Sequence, residues 1–383
     1  MRAIHNTALG TATFGMLLTV LLVSATSSSF ETTPNRSAED SAQIEWMTGA
    51  GAPILNSENT DSTFTEVSAS SAETTPLSVE PNESGKIMIV MFHKFAAHFY
   101  RNPRIDQPYT TSFNRFRSLL QTLYNQNYRL IGLNDFINNR IDTPPGTTPI
   151  VFTFDDATAG QFHLVKRDGE WVAAADSAVG IMEAFHEEHP DFGLEGTFYI
   201  NLGNAMPVFE GGGTLAERLQ YLVDKGFEIG NHTYSHVDLS KVKNARAVVR
   251  EVGKNQQALY KYLPGYQMQS LALPYGRVPV WKRYALKGEF EDIPYENRIL
   301  LSVGSKPTDP LSSANFVPPV ASRVRAPGRF PAVTDLNYWL KNMSPESRFI
   351  SDGNPNVVTV PKRHSIRPAQ DFIAHSAQKI VVY

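Results

Sequence analysis

From Lys86 onward the apolar positions of the chain follow two alternating periods. Unbroken apolar runs at Ile87–Phe92 (IMIVMF), Ile150–Phe154, Thr197–Ile200, Phe227–Ile229, Leu271–Leu273 and Leu300–Val303 predict short strands buried on both faces. Between them, Phe113, Phe116, Leu120 and Leu123 recur at helical spacing, as do Leu215, Leu219 and Leu222, which predicts amphipathic helices. Strands alternating with helices imply parallel βα units, hence an α/β fold built as an open sheet or a barrel. No internal repeat of fixed period is present. In both architectures functional side chains gather at the carboxyl ends of the strands.

The first 85 residues read differently. Arg2, an apolar core from about Phe14 to Val23 and the small residues Val23-Ser24-Ala25 predict a secretory signal peptide over residues 1–25. The core is shorter than the ~20 apolar residues of a membrane span, although an uncleaved anchor is the alternative. Residues 26–85 are rich in Ser, Thr, Glu, Asn and Pro and are expected to form a disordered spacer. Between Glu31 and Gly85, acidic residues face the single base Arg36, so the remainder from Lys86 carries a formal charge of about +5 although the whole chain stands at −3. That excess is too small to argue for nucleic acid. The expectation is a secreted or cell-surface protein, with cell-envelope association through its N-terminal segment and no protein partner, whose folded domain spans 86–383.

Chemistry enters at Val151-Phe-Thr-Phe-Asp-Asp156. A buried strand that ends in two adjacent carboxylates needs compensating charge, and a cation is the simplest source. The chain has no cysteine, so any metal must be held by His, Asp, Glu or water. Phe227-Glu-Ile-Gly-Asn-His-Thr-Tyr-Ser-His236 offers His232 and His236 four residues apart, where one helical turn would bring both rings to one side. Glu does not follow the first histidine, so this is not a zinc-peptidase HExxH. Two imidazoles and Asp156 would give three ligands and leave one position open, the arrangement of a catalytic site, while Asp155 stays free to act as a general base. A third stretch, Ser270-Leu-Ala-Leu-Pro-Tyr-Gly-Arg277, ends a strand in a turn where a backbone N–H near Tyr275 could face an oxyanion.

These three motifs, in this order, resemble those of the polysaccharide deacetylase family, carbohydrate esterase family 4 with its NodB-homology domain, over roughly Lys86 to Tyr383. The resemblance implies a distorted (β/α)7 barrel, Asp155 as catalytic base, and Asp156, His232 and His236 as ligands of zinc or a similar divalent ion. It also implies a substrate-binding role for Pro274 and Tyr275. The Arg that many members carry before the Pro of the third motif is replaced by Ala272, and Arg323 in Ala321-Ser-Arg-Val-Arg325 is the substitute expected to serve the substrate site, with Arg325 the alternative. Neither the fourth motif nor the C-terminal Leu-x-His of the family is evident. His93, at the end of the first strand, takes the place of the acid histidine of a subgroup acting on poly-N-acetylglucosamine. His364 and His375 are expected at the surface, and His186 and His189 at a helix end without catalytic role. The function expected is metal-dependent removal of N-acetyl groups from an N-acetylglucosamine-containing cell-wall or extracellular polysaccharide. An O-acetyl esterase and an inactive carbohydrate-binding barrel are the rivals.

Overall fold

The structure, a computed structural model, describes residues 80–99, 109–203, 208–313, 315–329, 333–362 and 378–383. All of them belong to one compact unit, Thr74–Tyr383. The expected signal peptide, the spacer up to residue 79, and His364 and His375 lie outside the described residues. The spacer's expected end at 85 needs correction. Asn82, Glu83 and Ser84 are buried, Asn82 bridges Ile350, and Glu83 accepts hydrogen bonds from the Thr359 and Asp352 N–H groups at 2.8 and 3.2 Å. Polar composition hid this segment, because its hydrogen bonds come from chain more than 260 residues away.

Six strands pair in chain order and all in parallel: β1 (Met88–Phe92), β2 (Thr148–Asp155), β3 (Thr197–Ile200), β4 (Glu228–Asn231), β5 (Ser270–Ala272) and β6 (Ile299–Leu301). The short β7 (Val320–Ala321) pairs with β6, and β8 (Val324–Arg325) pairs with β1. Only Ser322 and Arg323 separate β7 from β8, so one extended segment closes the sheet as a seventh stave. The fold is a distorted (β/α)7 barrel. The apolar pattern does not mark that last stave, because Val320–Arg325 has no apolar run of its own and takes its extended form from pairing on both sides. An extra strand, Tyr128–Ile131, lines the N-terminal half of β2 outside this ring.

Helices α1 (Phe113–Asn125), α2 (Ala178–Glu188), α3 (Leu215–Asp224) and α4 (Ala245–Leu259) follow β1 to β4 in turn. Each starts on a side-chain cap, Ser112, Ser177, Thr214 and Asn244, which satisfies an N–H that the helix itself cannot. The strands alternate in which side they bury. Val90, Phe92, Phe152, Phe154, Phe198 and Ile229 face the helices, whereas Ile89, Val151, Tyr199, Ala272, Leu301 and Ala321 form a second cluster that fills the barrel. Gly230 is required there: a Cβ on it would lie 2.3 Å from the Tyr199 ring. The Tyr199 hydroxyl in turn shares a 2.7 Å hydrogen bond with Ser270 Oγ on β5.

Candidate active site

The inward alternation of β2 runs Val151, Thr153, Asp155, which delivers one carboxylate to the mouth of the barrel. Its neighbour Asp156 would point away if the strand continued. Instead Asp156 and Ala157 both take left-handed backbone conformations, φ 75° and 49°, and the turn swings the second carboxylate back toward the mouth. Thr233, His236 and Tyr275 also have positive φ, so five of the eleven such non-glycine residues among the described residues sit at this mouth. Strain of this kind persists where surrounding contacts over-determine it, and it concentrates at functional sites.

His232 follows β4 and, like Gly230, faces inward; its Nδ1–H donates to the Ala272 carbonyl on β5 at 2.8 Å, which turns Nε2 toward Asp156. His232 Nε2 and His236 Nε2 each lie 3.5 Å from Asp156 Oδ1. The helical turn expected to join the two histidines is absent. Residues 232–236 form a loop in which left-handed Thr233 and His236 replace helical geometry, because the Asn231 side chain accepts the Thr233 N–H and Glu251 accepts the Ser235 N–H. Ligands about 2.0–2.2 Å from a tetrahedral ion stand roughly 3.3–3.6 Å apart. The observed spacing matches, and Asp156, His232 and His236 are the single group among the described residues whose donor atoms converge in this way. A hard or borderline divalent cation fits this donor set.

Asp155 sits beside this group in a different setting. Both its oxygens are held by the guanidinium of Arg323, Nη1 to Oδ1 at 2.7 Å and Nη2 to Oδ2 at 2.8 Å. Arg323 is 0 % exposed and also donates to Thr153 Oγ1 and the Ser302 carbonyl. It therefore cannot touch a polymer, which corrects its assignment to substrate binding: it orients Asp155. Arg325, the alternative, lies instead over the Tyr109 ring at 5.3 Å. His93 follows β1 with Nε2 3.8 Å from Asp155 Oδ2, packs on Tyr109, and has no partner for its buried Nδ1 among the described residues.

Burial raises the carboxyl of Asp155, yet Arg323, His232 and His93 outweigh it and hold the group well below the usual carboxylate range. Burial opposes ionisation of Asp156 as well, but the hydrogen bond and charge of His232 lower it. His93 is lowered by burial against the pull of both aspartates, and His236 by burial and the charge of His232. His232 alone is raised, since Asp155 and Asp156 overcome its burial.

Pro274 is buried and Tyr275 is 63 % exposed, its ring 5.1 Å from that of His236. Sequence reasoning missed the polar frame beneath these residues. Asn201 donates to the His232 and Thr233 carbonyls, Asn255 to Ile200 O and Asn231 Oδ1, and Gln161 to the His93 and Asp155 carbonyls. Thr153 inside an apolar run and Asn231 just past the end of one were the available signal; Asn255 and Gln161 lie on other elements with no local cue. His186 and His189 lie at the end of α2, His189 stacked on Tyr124.

Comparison with known proteins agrees in place with this geometry. Residues 142–288 match the family model of polysaccharide deacetylases. A chitin deacetylase of Arthroderma benhamiae is 27 % identical over 132 residues, covering 34 % of this chain and 32 % of the relative, so the chain spans about a third of that curated protein. Among solved structures, the Streptococcus pyogenes deacetylase PplD in complex with acetate aligns at TM-score 0.46 and 17 % identity, over 70 % of this chain and 97 % of that one. BC0361, a polysaccharide deacetylase from Bacillus cereus, aligns at TM-score 0.46 and 16 % identity, over 66 % of this chain and 67 % of that one. His93 and Arg323 lie outside the matched stretch, whereas Asp155, Asp156, His232, His236 and the Pro274–Gly276 turn lie within it. Over residues 142–288, this chain is similar to the polysaccharide deacetylase family.

Proposed function

We propose that this protein is an exported, metal-dependent hydrolase that removes N-acetyl groups from an N-acetylglucosamine-containing polysaccharide. One observation carries the reading: two adjacent carboxylates stand in different settings, Asp156 facing two imidazole Nε2 atoms at ligand spacing and Asp155 clamped by Arg323. When bound by Asp156, His232 and His236, a divalent cation, Zn2+ in this proposal, supplies positive charge that polarises the acetamido carbonyl. Asp155 takes the proton from the attacking water at a carboxylate oxygen, and Arg323 keeps that carboxylate ionised and aimed. The Tyr275 N–H holds the developing oxyanion. The carbon–nitrogen bond breaks as a ring nitrogen of His93 gives a proton to the leaving amine. With burial favouring neutral His93 at rest, that proton is the one received from Asp155 across the 3.8 Å that separates them. The products are acetate and a primary amine.

The test is acetate release from N-acetylchitooligosaccharides with and without a chelator. Release that is lost on chelation and restored by zinc supports the proposal. Release untouched by the chelator rejects the metal, activity confined to O-acetylated sugars moves the reaction to ester hydrolysis, and no release from either leaves a binding barrel.

A further inference from the structure

His236 and Tyr275 have a second side. Beyond them opens a cleft of about 510 Å³, lined also by Val237, Asp238, Lys241, Val242 and Arg277. Its polar lining is two cations around one carboxylate. Asp238 is 10 % exposed and is already engaged by the Ser240 N–H at 3.0 Å and the Ser240 hydroxyl at 2.6 Å. Lys241 and Arg277 reach it only at 3.6 and 3.5 Å, and their side chains are 71 % and 52 % exposed. Pairs so long and so open add little to stability, so the fold has no need of both cations here. What the arrangement leaves is a net positive pocket, one wall of which is the same histidine that faces Asp156. The chain's overall balance points the same way, since the part from Lys86 onward carries a formal charge of about +5.

We propose that this cleft receives an acidic substituent, a carboxylate borne by the sugar next to the acetylated one. Lys241 and Arg277 then act as specificity-determining residues that favour acidic over neutral acetamido polymers. Arg277 is placed to meet a carboxylate through its planar fork and Lys241 adds a mobile point charge. Tyr275, between cleft and histidines, offers its exposed ring as the surface on which the connecting sugar lies. The inference rests on the deacetylase reading of the neighbouring site.

The experiment compares kcat/KM for acetate release from two oligosaccharides of equal length, a neutral N-acetylglucosamine oligomer and one whose alternate sugars carry a carboxylate. The wild-type protein is expected to favour the acidic oligomer about tenfold at low ionic strength, with the ratio falling toward one as salt screens the cleft. The double variant K241A/R277A should lower that ratio about tenfold, and Arg277→Lys should lower it less. A wild-type ratio at or below one, a ratio indifferent to salt, or a ratio unchanged in the double variant overturns the proposal. The salt arm needs no variant and so stands even if a substitution unfolds the loop. Release from the neutral oligomer alone defeats only this inference, whereas release from neither defeats the deacetylase reading with it.

Discussion

The barrel gathers carboxylates at both ends, and the two ends have opposite charge logic. At the mouth, Asp155 and Asp156 are pushed up by burial yet end below the usual carboxylate range, because Arg323, His232 and His93 stand within reach. At the other end, where strands begin, Asp135, Glu195 and Glu228 surround Gly132. A Cβ there would lie 3.0 Å from Glu228 Oε1, 3.2 Å from Asp135 Oδ2 and 3.4 Å from Glu195 Oε2. Burial pushes Glu228 up to about 7, with Asp135 adding to it against hydrogen bonds from Asn134 and Thr197. Glu195 is pushed to about 7 by burial and by repulsion from Asp135 and Glu228, and burial raises Asp135 too. Desolvation acts alike at both ends; the neighbours decide which carboxylates stay charged.

Four experiments would break or sharpen that contrast. The largest effect is expected from Asp155→Asn, which removes the proposed base while leaving Asp156, His232 and His236 intact. Acetate release should fall roughly 10²–10⁴-fold, with zinc binding by calorimetry retained, and undiminished turnover would remove Asp155 from the chemistry. Arg323→Met strips the mouth of its compensating cation. A buried carboxylate left unpaired costs about 3–5 kcal/mol, read in denaturant unfolding, and adding Asp155→Asn to the same chain should recover part of the loss. A loss near zero would show that the imidazoles suffice.

Zinc should stabilise the protein by about 2.7 kcal/mol when present at ~100 times its dissociation constant, an effect His232→Ala should abolish. Because imidazoles bind metal only when neutral, the affinity should fall as pH drops through the histidine range. Constant affinity across that range would point to other ligands. The smallest effect belongs to the base of the barrel. Glu228 and Glu195 hold protons more tightly when folded, so their contribution is fully present below the unfolded value of 4.5 and is lost as pH rises to and past about 7. Glu228→Gln should flatten that slope and stabilise the protein at alkaline pH by on the order of 1 kcal/mol. Identical slopes for variant and parent would mean that the cluster is already open to water.

Within the chain itself, the alternation of apolar runs and helical periods was enough for six of the seven staves, because strands buried on both faces must be apolar throughout. The DD pair and the two histidines were legible for a similar reason: acids and imidazoles at strand ends have few roles, and each motif is local. Only the folded chain could show how neighbouring acids share one mouth, since strand geometry sends consecutive side chains to opposite faces until Asp156 and Ala157 turn left-handed. Arg323 could be named as a candidate but not given its task, because the guanidinium meets Asp155 across 168 positions of sequence through closure of the barrel. The loop of His232 and His236 was misread as a helical turn for the same cause: Asn231 and Glu251 shape it with side-chain hydrogen bonds that outweigh local propensity. Sequence alone determined which chemical groups the protein would bring to its strand ends. Tertiary structure decided the charge each would carry there, because charge on a buried group is set by neighbours that chain order does not reveal.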